Sequence, residues 1–202
     1  NFKSSLEKEF KNVECVLAGK NLGYGTANNV GLKKVKTKYA LILNPDATLH
    51  PSTIDNFFKV IKLIPDFAII GPYIQETKNN ILSKEVKKGL YPVKNVKGFA
   101  MFLNLKQFEE LGFFDENFFI YFEEIDLCKR LIKSNKKIFL DTNIKINHSG
   151  GQSHDVSVNK EMELSRNWHW MWSTFYFHKK NYGYFSAFRK TYGKIIRSFF
   201  KV

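Results

Sequence analysis

The sequence has few of the residues that would indicate a disulfide-stabilised or membrane-spanning protein. Its two cysteines, Cys15 and Cys128, lie far apart and form no Cys-x-x-Cys or Cys/His pattern. This usage predicts free thiols in a reducing compartment. No run of about 18 apolar residues is present, so no transmembrane helix is predicted. The first twelve residues are charged and polar, unlike a signal peptide. A cytoplasmic location is therefore expected.

Acidic residues are scarce relative to basic ones. The chain carries 32 Lys and Arg against 19 Asp and Glu, a formal charge of +13. This balance favours anionic partners such as nucleic acid, an anionic membrane surface or a phosphorylated small molecule. No nucleic-acid-binding motif is present, so nucleic acid is not expected as a partner. Aromatic residues make up 16% of the chain, which predicts aromatic clusters in the core or on a contact surface.

The order of apolar runs and amphipathic segments predicts an α/β fold. Strands are predicted at residues 13–17, 39–43, 67–70, 98–103, 137–140 and 144–147, and helices at residues 26–36, 52–64, 106–111 and 123–134. The compact apolar run at 39–43 is typical of a buried central strand. The last two strands are predicted at the sheet edge. Residues 73–95 are polar and basic, which indicates a hairpin or a mobile loop.

The composition changes after residue 155, which predicts a catalytic unit at 1–155 and a helical extension at 156–202. The extension is rich in aromatic residues, and it carries seven Lys or Arg and no acid between His178 and Val202. Such a segment suits an interfacial helix on anionic lipid, at the inner face of the cytoplasmic membrane. A helix that packs on the domain and leaves its cations in water fits the composition equally well.

Asn44-Pro45-Asp46 follows directly on the predicted strand at 39–43. Open α/β sheets bind ligands at the carboxyl ends of their strands. A carboxylate at that edge suits a hard divalent cation bound to a diphosphate. The same three residues are also common turn formers, so a simple turn is the alternative interpretation.

An acidic cluster at 123–126 opens the predicted helix at 123–134, where the helix dipole stabilises negative charge in any case. Helical spacing pairs Asp126 with Arg130. It also places Glu124 on the apolar, inward face, where a general base would be useful. Glu123 is rotated by about 100° from Glu124.

His148 follows a short predicted strand, and as a ligand it would supply an imidazole to a Mn-like ion beside Asp46. A structural or surface histidine is the alternative. The Gly-rich turn near residue 23 is neither a dinucleotide fingerprint nor a P-loop. Its amides and glycines are candidate contacts to a nucleotide or sugar: Asn21, Gly23, Gly25, Asn28 and Asn29.

Five segments occur in a specific order along the chain. They are Asn-Leu-Gly-Tyr-Gly-x-x-Asn-Asn-x-Gly at 21–31, Leu-Asn-Pro-Asp at 43–46, Gly-Phe-Ala-Met-Phe at 98–102, Gly-Phe-Phe-Asp-Glu-x-Phe-Phe-x-Tyr-x-Glu-Glu-x-Asp-Leu-Cys-x-Arg at 112–130, and His-x-x-Gly-x-Ser at 148–153. In this order they resemble family 2 glycosyltransferases, in particular the rhamnosyltransferase-like branch that builds bacterial surface polysaccharides. The block at 112–130 is the most specific of the five.

The resemblance implies a GT-A fold, a single nucleotide-binding α/β domain with a mainly parallel sheet. Asp46 matches the last acid of the family's Asp-x-Asp-type metal motif, and Asn44 stands at its first position. His148 matches a position that often binds the metal. The implied cofactor is therefore a divalent metal, Mn²⁺ or Mg²⁺.

The resemblance also implies the roles of four acids. Glu123 and Glu124 match the family's Glu-Asp pair, whose second member is usually the base, so Glu124 is the expected base. It is one methylene longer than the commoner Asp. Asp115 and Glu116 are expected to line the acceptor side.

The implied activity is inverting transfer of a sugar, such as rhamnose or another hexose, from a nucleotide-diphosphate donor to a glycan or lipid-linked acceptor. The implied process is synthesis of bacterial cell-surface polysaccharide, including lipopolysaccharide. The family's first strand and its Asp-Asn-x-Ser-type segment do not precede Asn21, so residues 1–155 are expected to form an N-terminally incomplete catalytic domain. The alternative is a non-catalytic glycosyltransferase-like binding protein or an inactive fragment, which the retained Asp46, Glu124 and His148 oppose.

Overall fold

The computed structural model describes residues 2–73, 88–148 and 159–199 of the chain. The helices are α1 (Phe2–Glu9), α2 (Tyr24–Leu32), α3 (Thr53–Leu63), α4 (Glu123–Lys133) and α5 (Asn159–Phe199), with a 3-10 helix at Leu105–Phe108. The strands are β1 (Tyr39–Leu43), β2 (Ala47–Leu49), β3 (Phe67–Pro72), β4 (Leu90–Pro92), β5 (Ala100–Asn104), β6 (Lys137–Asp141) and β7 (Ile146–His148). This alternation confirms the predicted α/β class.

Five strands form one sheet in the order β1-β5-β3-β6-β4, while β2 and β7 form a separate pair. The sheet is mixed rather than mainly parallel. Strands β1, β3 and β6 run in one direction, but β5 lies antiparallel between β1 and β3, and β4 is antiparallel to β6. Because the antiparallel strand β5 separates β1 from β3, only β3 and β6 are parallel neighbours among the described strands.

Strand positions in the sheet differ from the prediction in two places. Every residue of β3 and β5 is buried, as befits strands with a neighbour on each side. β1 was predicted to be central, but within the described residues it lies at the edge and buries only Ile42. β6 was predicted to be an edge strand, but it lies between β3 and β4.

Helices cover both faces of the sheet. On one face, Met101 and Leu103 of β5 pack with Leu127 and Leu131 of α4. On the other face, aromatic rings from α3 and the strands form a cluster in which the Phe57 and Phe102 ring centroids lie 4.5 Å apart. The predicted aromatic clusters are thus confirmed. Both cysteines are free thiols, also as predicted, and Cys128 is buried.

Two short segments do not adopt the predicted secondary structure. Residues 13–17 are coil, because Val13, Val16 and Leu17 are exposed and no described strand lies beside them. The helix predicted at 106–111 is a single 3-10 turn at Leu105–Phe108. The hairpin or loop predicted at 73–95 contains β4, and its residues 74–87 lie outside the described part. The boundary predicted at 155/156 also lies outside it.

The helix α5 consists of two arms that meet at Gly183. Gly183 has φ 84° and ψ 172°, a conformation outside the helical region. The Phe175 and Phe188 rings lie 5.3 Å apart, and His178 Nδ1 lies 3.1 Å from Ser186 Oγ. Thirteen residues of straight helix would span about 20 Å. The second arm (184–199) therefore folds back on the first arm (159–182). None of the described helices has the length and apolar character needed to cross a bilayer.

Candidate active site

The turn after β1 brings Asp46 beside His148. The backbone N–H of Asn44 donates to the carbonyl of Phe99 at 2.8 Å, which anchors the turn to β5. The antiparallel register of β2 and β7 then pairs Ala47 with His148. As a result, Asp46 Oδ1 lies 3.2 Å from His148 Nε2, and the His148 ring stacks on Phe99 at 4.5 Å. The juxtaposition of Asp46 and His148 expected from the sequence is present.

This pair offers part of a metal site. A carboxylate and an imidazole are suitable ligands for a Mn-like ion, and both side chains are about one-quarter exposed (26% and 30%). Across residues 2–73, 88–148 and 159–199, no group of three or more His, Cys, Asp and Glu side chains could hold a metal. An ion held here would therefore need further ligands, such as diphosphate oxygens and water.

The acidic pair Glu123 and Glu124 opens α4 beneath the loop at 112–122. Two non-glycine residues with positive φ, Tyr121 and Phe122 (both 71°), lead into the helix. Such conformations are uncommon outside glycine and concentrate at functional sites. Burial raises the pKa of Glu123 to about 7, and burial also raises the pKa of the half-buried Glu124. Both carboxyl groups thus hold protons more tightly than ordinary surface acids.

The position of Glu123 differs from the helical-wheel expectation. Glu123 is only 5% exposed, so it is more buried than Glu124. The reason is α2, which packs so closely that a Cβ on Gly25 would lie 3.6 Å from Glu123 Cβ. Among the described residues, Glu123 Oε2 has no hydrogen-bond partner. The predicted ion pair of the same helix is present, since Arg130 Nε donates to Asp126 Oδ2 at 2.9 Å.

Tyr24 and Lys97 also belong to this site, although the sequence did not single them out. The Tyr24 hydroxyl donates to the carbonyl of Gly98. Burial and the charges of Glu124 and Glu123 raise the pKa of this hydroxyl. Lys97 acts on Glu124 in the opposite sense, since its positive charge counteracts part of the pKa increase caused by burial. The sequence feature that could have suggested Tyr24 as a site residue is its position between the candidate residues Gly23 and Gly25.

The Gly-rich turn packs against the loop at 112–122. Asn21 Oδ1 accepts from the N–H of Gly23 at 3.0 Å, and the N–H of Tyr24 donates to the carbonyl of Phe119 at 2.9 Å. Gly23 has φ 75°, and a Cβ there would lie 2.2 Å from the Phe119 oxygen. Asn28 Nδ2 donates to the Tyr24 carbonyl at 2.9 Å. These contacts account for glycine at position 23, and a nucleotide contact from this turn stays a prediction.

Asn29 connects α2 to the segment that carries Asp115 and Glu116. Its Oδ1 accepts from the Phe114 N–H at 3.0 Å, and its Nδ2 donates at 2.9 Å both to the Phe114 carbonyl and to Glu116 Oε1. The bond from Asn29 and the charge of Lys33 lower the pKa of Glu116. The amide of Asn29 therefore has a structural function in this fold.

Asp115 is held by α5, which the sequence did not reveal. Its Oδ2 accepts from Lys180 Nζ at 2.7 Å and from the Tyr176 hydroxyl at 3.0 Å. Its Oδ1 accepts from the N–H and Nδ2 of Asn117 at 3.0 and 2.8 Å. Burial alone would raise the pKa of Asp115, but these bonds outweigh burial and lower that pKa to about 2. The only feature of the sequence that pointed to a joint contact was the i,i+4 spacing of Tyr176 and Lys180, which places both side chains on one face of a helix.

Comparison with known families identifies the class of this site. The profile described as "Glycosyl transferase family 2" matches residues 3–128, well over half of the chain. This chain belongs to glycosyl transferase family 2. The matched range of this glycosyltransferase includes Asp46, Asp115, Glu123 and Glu124, whereas His148 and α5 lie beyond it.

Two curated relatives agree with this assignment, and one of them is described as an L-rhamnosyltransferase. The "Low-salt glycan biosynthesis hexosyltransferase Agl10" of Haloferax volcanii is 27% identical over 144 residues, covering 60% of this chain and 47% of the relative. The "N-acetylglucosaminyl-diphospho-decaprenol L-rhamnosyltransferase" of Mycobacterium tuberculosis is 22% identical over 170 residues, covering 63% of this chain and 55% of the relative. The glycosyltransferase chain thus spans about half the length of the curated relatives it matches.

A solved structure supports the GT-A fold. The crystal structure of GalNAc-T7 with UDP, GalNAc and Mn²⁺ superposes with a TM-score of 0.61 and covers 89% of this chain and 41% of that chain. At 13% sequence identity the likeness concerns the fold alone. The mixed sheet with helices on both faces is therefore a GT-A sheet.

Proposed function

We propose that this glycosyltransferase is an inverting enzyme that moves a hexose, such as rhamnose, from a nucleotide-diphosphate donor to a glycan or lipid-linked acceptor. The proposed process is the assembly of cell-surface polysaccharide, including lipopolysaccharide. The supporting observation is the acidic pair at the start of α4, in which Glu123 is buried, Glu124 is half-buried, and burial raises the pKa of Glu124. The printed names of the hexosyltransferase and the L-rhamnosyltransferase relatives support the sugar class.

In this proposal Glu124 is the general base. It removes the proton from an acceptor hydroxyl while that oxygen attacks the anomeric carbon from the face opposite the leaving diphosphate. The new glycosidic bond forms as the bond to the diphosphate breaks, so the configuration inverts in one displacement. A carboxylate with a raised pKa is a stronger base than an ordinary glutamate, which suits proton removal from a hydroxyl.

The donor diphosphate is proposed to lie at Asp46 and His148. Asp46 and His148 would hold a divalent metal, Mn²⁺ or Mg²⁺, which would supply neutralisation of the leaving diphosphate's charge. Asn44 and the turn at 21–31 are proposed to contact the nucleotide or sugar. The contacts of this turn with the loop at 112–122 support that placement, because they join it to the part of the chain that carries the acids.

A thermal-shift panel tests the donor site. UDP, dTDP, GDP and CDP are each added with Mn²⁺ or with EDTA, and one nucleotide is expected to raise Tm only with metal. A ligand at about 100 times its Kd should raise Tm by on the order of 5 °C, because it binds the folded state alone. The Asp46→Ala variant should lose this shift. Asp66→Ala, an exposed acid that pairs with Lys137, serves as the matched control and should retain it.

Two outcomes of the thermal-shift panel would contradict the proposed donor site. If no nucleotide raises Tm in either condition, the proposed donor site is absent from this protein. If a shift occurs but survives in Asp46→Ala, the nucleotide binds elsewhere, and the placement at Asp46 and His148 is wrong.

A peripheral contact with an anionic membrane, at the inner face of the cytoplasmic membrane, is part of the proposal. The bend of α5 exposes several aromatic rings, of which Phe185 is 83% exposed, and exposed cations accompany them: Arg189 and Lys190. Aromatic rings beside cations suit the interface of an anionic bilayer. Such a contact would bring the enzyme to a lipid-linked acceptor.

Vesicle co-sedimentation tests this contact. The enzyme is expected to sediment with vesicles that contain phosphatidylglycerol and to stay in solution with phosphatidylcholine alone. Phe185→Ser should weaken binding by about tenfold, because a buried ring contributes at least ~1.4 kcal/mol. Phe58→Ser, which changes an exposed ring on α3, is the matched control. Equal binding by the Phe185 variant and the wild type would contradict a contact through this surface.

A further inference from the structure

The first arm of α5 supplies a cation that joins Asp115, a carboxylate expected on the acceptor side, to Asp126 of α4. Lys180 Nζ lies 2.7 Å from Asp115 Oδ2 and 2.8 Å from Asp126 Oδ1. Asp126 also accepts from Arg130 Nε at 2.9 Å. The side chain of Asp126 is 1% exposed and that of Asp115 is 14% exposed. Two cations and two carboxylates thus form one network, the Lys180 network, which joins α5, α4 and the loop at 112–122.

The charges in this network are balanced around two poorly hydrated carboxylates, while the side chains of Lys180 and Arg130 are 30% and 22% exposed. Burial would lower the pKa of Lys180, but its bonds to Asp115 and Asp126 outweigh burial and raise it. Lys180 is therefore charged throughout the physiological range. Buried carboxylates without a paired cation would be costly, so the network depends on both cations together.

The same arm of α5 covers the loop at 112–122 along its length. Ser173 Oγ donates to the Ile120 carbonyl at 2.7 Å. The Tyr176 ring lies 4.9 Å from the Phe118 ring, and the Phe177 ring lies 5.2 Å from the Phe122 ring. Arg130 Nη1 donates to the Leu111 carbonyl at 2.9 Å, so the network also holds the start of this loop. The loop leads directly into Glu123 and Glu124.

We propose that Lys180 is a positioning residue for the acceptor side of this enzyme. It holds Asp115 in place, and it fixes the loop at 112–122 relative to the start of α4, three residues before Asp126. The first arm of α5 then belongs to the catalytic unit rather than to a separate extension. This inference rests on the proposed function, because the acceptor side has meaning only if sugar transfer occurs.

The hydrogen bonds that Asp115 already accepts support a positioning function rather than direct binding of the acceptor. Both of its oxygens already accept hydrogen bonds, Oδ1 from Asn117 and Oδ2 from Tyr176 and Lys180. A carboxylate with a pKa of about 2 is also a poor base. Asp115 therefore acts through the shape of the loop that it anchors.

The test compares Lys180→Met, Lys180→Arg and the control Lys179→Met. Lys179 is the exposed neighbour on the same helix and has a ring contact with Tyr184. With rhamnose attached to the nucleotide diphosphate that the thermal-shift panel identifies, the rate of transfer to octyl N-acetyl-β-glucosaminide is measured beside the rate of donor hydrolysis by water. Lys180→Met should lower the ratio of transfer to hydrolysis by about tenfold. Lys180→Arg should restore most of it, and Lys179→Met should leave it unchanged.

Hydrogen exchange at residues 112–126 provides a readout that needs no turnover. Exchange in this segment should be about tenfold faster in Lys180→Met than in Lys179→Met, because a local tether has been removed. Equal exchange in the two variants, or an equal fall in transfer and hydrolysis, overturns the inference. If the wild-type enzyme consumes no donor at all, the proposed function is contradicted, and the acceptor-side inference falls with it, whatever the exchange shows about the loop.

Discussion

Replacing Glu124 by Gln is expected to lower kcat for sugar transfer by roughly 10²- to 10⁴-fold, the usual cost of losing a general base. The amide keeps the size of the side chain but cannot accept the proton of the acceptor hydroxyl. The variant should fold, because Glu124 is half-buried and burial already disfavours its charged form. Initial rates of nucleotide release with and without acceptor measure the effect.

The pH dependence gives a second readout for the same residue. Burial raises the pKa of Glu124 above its ordinary value of 4.5, and a general base acts in its deprotonated form. The wild-type rate should therefore rise with pH through a value above 4.5, and this rise should disappear in Glu124→Gln. Glu123 has a pKa of about 7 and will contribute to the same profile. The pH profile of the rate therefore gives apparent pKa values for Glu123 and Glu124 together rather than for Glu124 alone.

A matched control separates this effect from a general loss of charge. Glu110→Gln removes an exposed acid elsewhere on the surface and should leave kcat close to the wild-type value. Donor binding in Glu124→Gln, measured by thermal shift, should also be retained. If Glu124→Gln transfers sugar at the wild-type rate, the base must be another residue.

Replacing Asp126 by Asn is expected to destabilise the protein by about 3 kcal/mol, within the range for breaking one member of a buried ion pair. Asp126 is fully buried and pairs with both Arg130 and Lys180. Without its charge, Arg130 and Lys180 lose a shared partner whose side chain is only 1% exposed. Urea unfolding followed by circular dichroism measures the change in the free energy of unfolding.

The exposed pair of Asp66 and Lys137 provides the comparison. Asp66 Oδ2 and Lys137 Nζ lie 2.7 Å apart, so this pair is as close as the buried ones, but both of its side chains are more than half exposed. Asp66→Asn should therefore change the urea midpoint little, since water and salt screen exposed pairs. Similar midpoints for the Asp126 and Asp66 variants would show that burial does not strengthen the Lys180 network.

Much of the secondary structure could be predicted because it depends on local patterns. The strand at Tyr39–Leu43 was predicted with its exact bounds, α3 differs from the prediction by one residue at each end, and α4 differs by one residue at its carboxyl end. Their apolar spacing and flanking residues determine these boundaries locally. Residues 13–17 also form a short, mostly apolar run, but a strand needs a partner as well, and no described strand lies beside them.

The site was predicted in part. The motif order identified Asp46, His148 and the acidic pair, and the structure brings Asp46 and His148 within 3.2 Å of each other. Helical geometry wrongly placed Glu123 away from the interior, because a helix wheel contains no information about the helix that packs on it. The close approach of α2 at Gly25 is what buries Glu123.

The sequence by itself determined the α/β class, the positions of the main helices and strands, and the glycosyltransferase motifs, because these depend on neighbouring residues or on ordered short blocks. Only the tertiary structure decided the mixed direction of the sheet, the return of α5 at Gly183 and the bonds from Lys180 to Asp115 and Asp126. Lys180 lies 54 residues from Asp126 and 65 residues from Asp115 along the chain. The spacing of charges cannot reveal which distant cation a buried carboxylate will receive, since that depends on how the helices pack.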